Sequence, residues 1–172
     1  MGAARVMPAD QLPLPPPLPP AAAQLLDQAH RALAEATESS DPRRRYATAH
    51  LGALRGAAAV LAARTRPEGA RRRPRSAWVL LGQVAPELGE WATFFAAGAA
   101  KRAAAEAGLS RAVTEREADD LVRDADRFLG VVEQALGLVP HAPHAGRIPA
   151  SVPAPSGRPA RTSPRRTARR VQ

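Results

Sequence analysis

The grouping with the clearest chemical potential is a run of three arginines, Arg43, Arg44 and Arg45, followed by His50. Seven residues of α-helix turn through about 700°, so Arg43 and His50 would share one face about 10 Å apart along the axis. A guanidinium binds phosphate oxygens, and an imidazole exchanges protons near neutral pH. A metal-free ribonuclease needs both groups, with His50 as general acid or base and one of the three arginines on the scissile phosphate.

The spacing alone does not decide the role of His50. All but one of the 25 basic residues are arginines, and in such a chain an arginine four to six positions before a histidine is expected by chance. The arginine bias itself fits either phosphate binding or the codon usage of a GC-rich genome. Three roles for His50 therefore stay open: a catalytic group, a partly buried hydrogen-bonded side chain, or a non-catalytic contact to nucleic acid or to a partner.

Other kinds of active site find little support in the sequence. There is no cysteine, which excludes thiolate metal sites and a cysteine nucleophile. Helical bundles that hold two metal ions use Glu-x-x-His pairs, and Glu87 and Glu90 have no histidine at that offset. Phosphate-binding glycine loops and serine elbows do not occur either. We therefore predict no metal and no cofactor.

The remaining histidines and the acidic residues near the carboxyl end predict no site. His141 and His144 lie in a Pro-His-Ala-Pro-His stretch, where two ligands make a weak metal site. His30 falls between leucines of a helical stripe and is expected to flank the core. The four aspartates of the last helix are expected on its solvated face, and they are Asp119, Asp120, Asp124 and Asp126.

Composition divides the chain into one domain and two tails. Residues 1–20 are rich in proline, which lacks the amide that helices and sheets need. Residues 139–172 combine prolines and arginines without apolar periodicity, so both ends are predicted to be disordered. No apolar run is long enough to span a bilayer, and the amino terminus lacks a signal peptide, which predicts a soluble cytoplasmic protein with no membrane partner. The folded domain is predicted at 21–138.

Helical periodicity within this domain predicts four segments. The first covers about 21–39, and the second begins at an Asp41-Pro42 cap and reaches about 65. The third runs from Ser76 to about 107 with a kink or split at Pro86. The fourth starts at a capping box and ends before a glycine, at about 114–136. The fold class is therefore all-α, an up-and-down four-helix bundle.

Arginines also cluster where no helix is predicted. One group lies around the connection 66–75 and another in the basic tail, and such patches bind phosphates electrostatically unless they are simply solvated. The predicted nucleic-acid-binding residues are Arg64, Arg66, Arg71, Arg72, Arg73, Arg75, Arg165 and Arg166.

Three stretches of the domain carry a resemblance to a known family. They are LLDQAHRAL at 25–33, RYATAHLGALR at 45–55, and RPRSAWVLL at 73–81 continued by VAPELGEWA at 84–92 and FFAAGAAKR at 94–102. On these residues the chain resembles the HEPN superfamily, specifically its branch of small actinobacterial proteins. The similarity extends over about 25–136 and leaves out both tails.

The resemblance implies an all-helical, frequently dimeric bundle from a superfamily that includes metal-independent ribonucleases, toxin components and partners of small nucleotidyltransferases. Active members share an Arg-x(4–6)-His motif, typically with a polar residue after the arginine and late in the bundle. Here the matching arginines precede His50 in the second helix, Tyr46 follows Arg45, and no histidine follows Arg123 or Arg127.

Three functions remain open. The first is a non-catalytic HEPN-like module that binds RNA, DNA or a protein partner such as a nucleotidyltransferase. The second is a metal-independent ribonuclease, for example of the toxin type, that uses His50 with Arg43 or Arg45. The third is a structural module that forms a homodimer through an Ala/Gly-rich face such as 52–63.

Overall fold

All the regular secondary structure in the described part of the chain is helical. The computed structural model describes residues 17–65 and 76–144. Its five α-helices are α1 (Pro20–Glu38), α2 (Pro42–Arg64), α3 (Ala77–Val84), α4 (Gly89–Glu106) and α5 (Glu115–Ala135). No residue of these two ranges lies in a strand, which confirms the all-α class. None of these five helices is long and apolar enough to cross a membrane.

The start of α2 shows how local chemistry sets helix ends. The Asp41 carboxylate accepts a hydrogen bond from the Arg43 backbone N–H at 2.9 Å. Pro42 occupies the first helical position, where its missing N–H would have had no partner. The predicted cap at Asp41 and Pro42 is therefore confirmed.

Pro86 divides the third predicted segment into two helices. Proline disfavours helical backbone at the residue before it, and Ala85 accordingly has φ −134° and ψ 75°. A short 3₁₀ turn at Pro86–Leu88 then leads into α4. The expected kink or split is thus a split, and the bundle has five helices where four segments were predicted.

A reciprocal cap starts α5. The Thr114 hydroxyl accepts a hydrogen bond from the Glu117 backbone N–H at 3.2 Å, and the Glu117 carboxylate accepts one from the Thr114 backbone N–H at 2.9 Å. The predicted capping box is therefore confirmed. At the other end, Gly137 adopts φ +75°, which glycine tolerates best and which stops the helix.

We expect Thr114→Ala to lower the free energy of unfolding by about 1 kcal/mol, because the Glu117 amide at the start of α5 loses the hydroxyl that caps it. Urea unfolding followed by circular dichroism measures the change. Thr114→Ser keeps the hydroxyl and is expected to remain near wild type. Equal losses in the two variants would contradict a role for the hydroxyl.

The helix directions follow an up-and-down order. Contacts of α2 with α1 pair Arg44 with Glu35 and Arg55 with Gln28, so these helices are antiparallel. Between α2 and α5 the residue numbers of the contacting pairs increase in the same direction, from Arg45 with Asp119 to Arg64 with Ala135. These two helices are therefore parallel. Helix α2 contacts each of the other four helices and forms the centre of the bundle.

Two glycines let α2 pack closely against its neighbours. A Cβ built on Gly52 would lie 3.2 Å from the Ala29 carbonyl oxygen, and one built on Gly56 would lie 2.5 Å from Leu129 Cδ2. Both neighbouring helices therefore approach α2 closely at these glycines. The partners are α1 and α5 of the same chain, so the Gly52 and Gly56 surface is already used inside the bundle. A homodimer stays a prediction and would need another face.

An aromatic cluster fills the core between α3, α4 and α5. Phe95 is fully buried, and its ring centroid lies 5.1 Å from both the Trp78 and the Phe128 centroids. Trp91 also stacks on Phe95, with a centroid distance of 6.1 Å. The segment from Ser76 to about 107 therefore contributes three of the four rings in this part of the core.

Candidate functional site

His50 lies inside the bundle. It projects from the middle of α2 and is 1% exposed. Its Nε2 donates to the Phe95 carbonyl oxygen at 2.9 Å, which places the proton on that nitrogen. Nδ1 is buried without a hydrogen-bond partner among the described residues. Trp78 and Phe95 meet the imidazole edge-on, each with a centroid distance of 5.7 Å.

This setting favours the neutral imidazole. Burial lowers the pKa of His50 below its ordinary value of 6.5, and the hydrogen bond to Phe95 only partly opposes the shift. The Arg102 guanidinium on α4 lowers the pKa further, while Glu106 acts in the opposite direction. His50 is therefore uncharged at neutral pH.

Arg43 is held at the amino-terminal end of α2. Its guanidinium donates to both carboxylate oxygens of Asp41, at 3.2 and 3.1 Å, and to the Gly108 carbonyl oxygen at 3.0 Å. The next residue, Arg44, pairs with Glu35 on α1 at 2.6 Å. These contacts fix the loop after α4 and the α1–α2 turn.

Arg45 joins α2 to α5. Its guanidinium contacts Glu115 at 3.1 Å and Asp119, and it donates to the Ser39 carbonyl oxygen at 3.0 Å. The side chain is 15% exposed. Two of its three nitrogens, Nε and Nη1, thus donate to a carbonyl and two carboxylates.

The structure does not bring His50 and the arginines to one open site. The arginine heads are bound to acidic and carbonyl partners at the amino-terminal end of α2, whereas both nitrogens of His50 face protein atoms. This geometry corresponds to the second role that the sequence left open, a buried hydrogen-bonded histidine. The catalytic assignment of His50, Arg45 and Arg43 stays a prediction, and a phosphate would reach His50 only after the bundle opens.

Only one residue of the predicted arginine patch lies in the described part of the chain. Arg64, at the end of α2, contacts Glu87 and donates to the Ala135 carbonyl oxygen at 2.8 Å. The others fall outside the described residues, and they are Arg66, Arg71, Arg72, Arg73, Arg75, Arg165 and Arg166.

Net charge differs in sign between the part of the chain that the structure describes and the rest of the sequence. Residues 17–65 and 76–144 contain 12 Lys and Arg against 14 Asp and Glu, a net charge of −2. The whole chain has 25 basic and 16 acidic residues, so 13 basic and 2 acidic residues lie outside those ranges. The entire positive net charge of +9 therefore comes from residues outside those two ranges.

Comparison with known families shows which family the helical bundle belongs to. The model of the SAV_6107-like HEPN family matches residues 36–133, more than half of the chain. The chain belongs to this HEPN family. In the same comparisons, no curated protein and no solved structure matches the chain. The HEPN match includes Arg43, Arg45 and His50, and the resemblance noted for residues 45–55 and 84–102 lies within it.

The HEPN chain also contains a histidine cluster that sequence analysis missed. His30 on α1 meets His141 and His144, which follow α5, and one ligand atom from each lies within 4.8 Å of the other two. Glu133 accepts from His30 Nε2 at 2.8 Å and from His141 Nδ1 at 2.7 Å. Asp126 accepts from His144 Nδ1 at 2.8 Å and contacts His141 Nε2 at 3.1 Å.

The cluster corrects two expectations. Asp126 was expected to be a solvated charge, but it is held by two imidazoles. His30, expected only to flank the core, binds Glu133 through Nε2. The Asp126–Glu133 spacing of seven residues, two turns of one helix face, was the available signal, but the third histidine lies more than a hundred positions earlier in the sequence.

The cluster shifts the protonation of its members. Burial would raise the pKa of Asp126 and of Glu133, yet hydrogen bonds from His141, and for Asp126 also from His144, outweigh it and lower both. Burial likewise disfavours a charge on His141, but the two carboxylates raise its pKa overall. Both carboxylates are therefore ionised at neutral pH.

Proposed function

We propose that this HEPN chain is a non-catalytic module that binds RNA, with the phosphates contacted by arginines outside residues 17–65 and 76–144. The separation of charge carries the proposal. A slightly acidic bundle has no electrostatic attraction for a polyanion, whereas the remaining residues carry a net charge of +11.

The ion pairs of the lysines and arginines in the described residues also support phosphate binding by arginines elsewhere in the chain. Phosphate binding by counterion release needs guanidiniums that are free to neutralise phosphates. Among the described residues, every lysine and arginine except Arg111 contacts a carboxylate or a backbone carbonyl. The connection 66–75 offers five arginines against the single acid Glu68.

The burial of His50 supports binding without turnover. A general acid or base must reach the proton that it transfers, directly or through one water. Nε2 of His50 is committed to the Phe95 carbonyl oxygen, and Nδ1 is enclosed by protein. RNA is therefore expected to leave a mixture with this protein intact.

The test compares two triple variants that remove the same charge. One replaces Arg71, Arg72 and Arg73 by glutamine, and the matched control replaces Arg31, Arg116 and Arg127, which are exposed on the bundle. Retention of labelled single-stranded RNA is measured in EDTA at several salt concentrations. We expect the first variant to bind more weakly, with a salt slope reduced by up to about 2, since each neutralised phosphate contributes about 0.7.

The control variant is expected to retain RNA like the wild type. Equal weakening of both variants would show a general charge effect and contradict the assigned surface. Absence of any retention by the wild type at low salt would contradict RNA binding itself and favour a protein partner. Cleavage in EDTA that disappears in His50→Gln would restore the ribonuclease alternative.

A further inference from the structure

We propose that His30, His141 and His144 form a binding site for one divalent first-row transition metal ion, such as Zn²⁺. The inference is independent of RNA binding, because it rests on different residues at a different place. His30 comes from the middle of α1, and the two other histidines come from the segment that leaves α5.

The distances require little rearrangement. A tetrahedral zinc site with Zn–N bonds of about 2.0–2.1 Å places its nitrogens about 3.3 Å apart. The three histidine ligand atoms already lie within 4.8 Å of one another. The ring centroids are separated by 4.5, 5.6 and 4.9 Å. Small side-chain rotations would therefore close the set around one ion.

Carboxylates orient the three rings in the manner of metal sites. Histidine ligands commonly hold a carboxylate on the nitrogen that does not bind the metal, which fixes the tautomer and the ring orientation. Glu133, 5% exposed, holds His30 and His141, and Asp126 holds His144 and His141. His30 and His144 each keep one nitrogen free of these bonds, and His141 would exchange one of its two carboxylate contacts for the metal.

The backbone fixes the positions of the two late histidines. The amide of His141 donates to Glu133 at 2.7 Å, and the amide of His144 donates to Asp126 at 3.2 Å. The same two carboxylates thus hold both the rings and the chain that bears them. Because the three side chains are already ordered in the absence of metal, binding an ion would cost little further conformational entropy.

The donor set limits the class of metal. Three imidazoles with two nearby carboxylates suit zinc, nickel, cobalt or copper in the divalent state. Thiolate-dependent sites are excluded because the chain has no cysteine. The bound ion would fasten residues 141–144 to α1 and α5, directly before the arginine-rich carboxyl-terminal residues.

The test titrates the full-length chain, without an affinity tag and stripped with EDTA, with Zn²⁺ against a chromophoric competitor. We expect one equivalent to bind and to raise the melting temperature. His144→Gln is expected to lose this binding, whereas His50→Gln, which changes the only histidine outside the cluster, is expected to keep it. Asp126→Asn is expected to bind about 10–100-fold more weakly, and Asp124→Asn is the control.

Circular dichroism of each variant separates loss of binding from loss of fold. His144 follows the last helix, so His144→Gln is expected to retain the helical spectrum. Failure of the folded wild type to bind Zn²⁺, Co²⁺ or Ni²⁺ would overturn the proposal and leave a hydrogen-bonded histidine–carboxylate network. Equal binding by wild type and folded His144→Gln would also overturn it, because the ion would then lie elsewhere.

Discussion

Phe95→Ala is expected to lower the free energy of unfolding by about 3–5 kcal/mol, the range for removing a buried aromatic ring. Phe95 is fully buried and its ring lies between Trp78, Trp91 and Phe128. Truncation would leave a cavity bounded by three rigid rings that cannot close over it. The loss should therefore lie toward the upper part of that range.

The neighbouring Phe94 provides a matched control. It has the same side chain on the same helix but is 45% exposed, so Phe94→Ala is expected to cost less than about 1 kcal/mol. Urea unfolding followed by the fluorescence of Trp78 and Trp91 measures both variants. Similar losses at positions 94 and 95 would show that α4 does not turn Phe95 inward and Phe94 outward, and would contradict the assignment of Phe95 to the core.

Local signals in the sequence were enough to predict the helices. Asp41, Thr114 and Gly137 act on amides and carbonyls within a few residues of themselves, so their effects follow from sequence spacing. The same holds for Pro86, whose ring disfavours helical backbone at the residue before it. The aromatic core was also predictable, because most of the aromatic residues fall in one segment that had to occupy the interior.

Interactions between distant residues were not predictable in the same way. Arg45 and His50 are five residues apart on α2, yet one points to carboxylates on α5 and the other to a carbonyl on α4. Which face of α2 meets which neighbour depends on the packing of all five helices. The histidine cluster likewise depends on α1 lying beside the end of α5, which no spacing in the sequence encodes.

The burial of His50 changes how a catalytic test must be designed. His50→Ala would remove a buried side chain beside Trp78 and Phe95, and we expect a loss of about 2–5 kcal/mol in unfolding free energy. Loss of any activity in that variant would then report unfolding as well as chemistry. His50→Gln keeps an N–H near the position of Nε2 and can still donate to the Phe95 carbonyl oxygen, so it is the better variant.

The His50→Gln variant also tests the lowered pKa of His50, through the pH dependence of the free energy of unfolding. The pKa of His50 is lowered in the folded protein by burial and lies near 6.5 when the chain is unfolded. Below about pH 6.5 the unfolded chain binds the proton more readily, so the stability present above that pH is progressively lost as the pH falls. Glutamine does not titrate, and the other histidines contribute equally to both proteins.

We therefore expect the stability of wild type relative to His50→Gln to decrease as the pH is lowered from about 8 to about 5. Urea unfolding at several pH values, followed by tryptophan fluorescence, gives this difference directly. Parallel profiles would mean that His50 titrates alike in the folded and unfolded chain, as a solvent-accessible histidine does. That outcome would reopen the ribonuclease hypothesis, since an accessible imidazole beside three arginines has the groups that metal-free RNA cleavage requires.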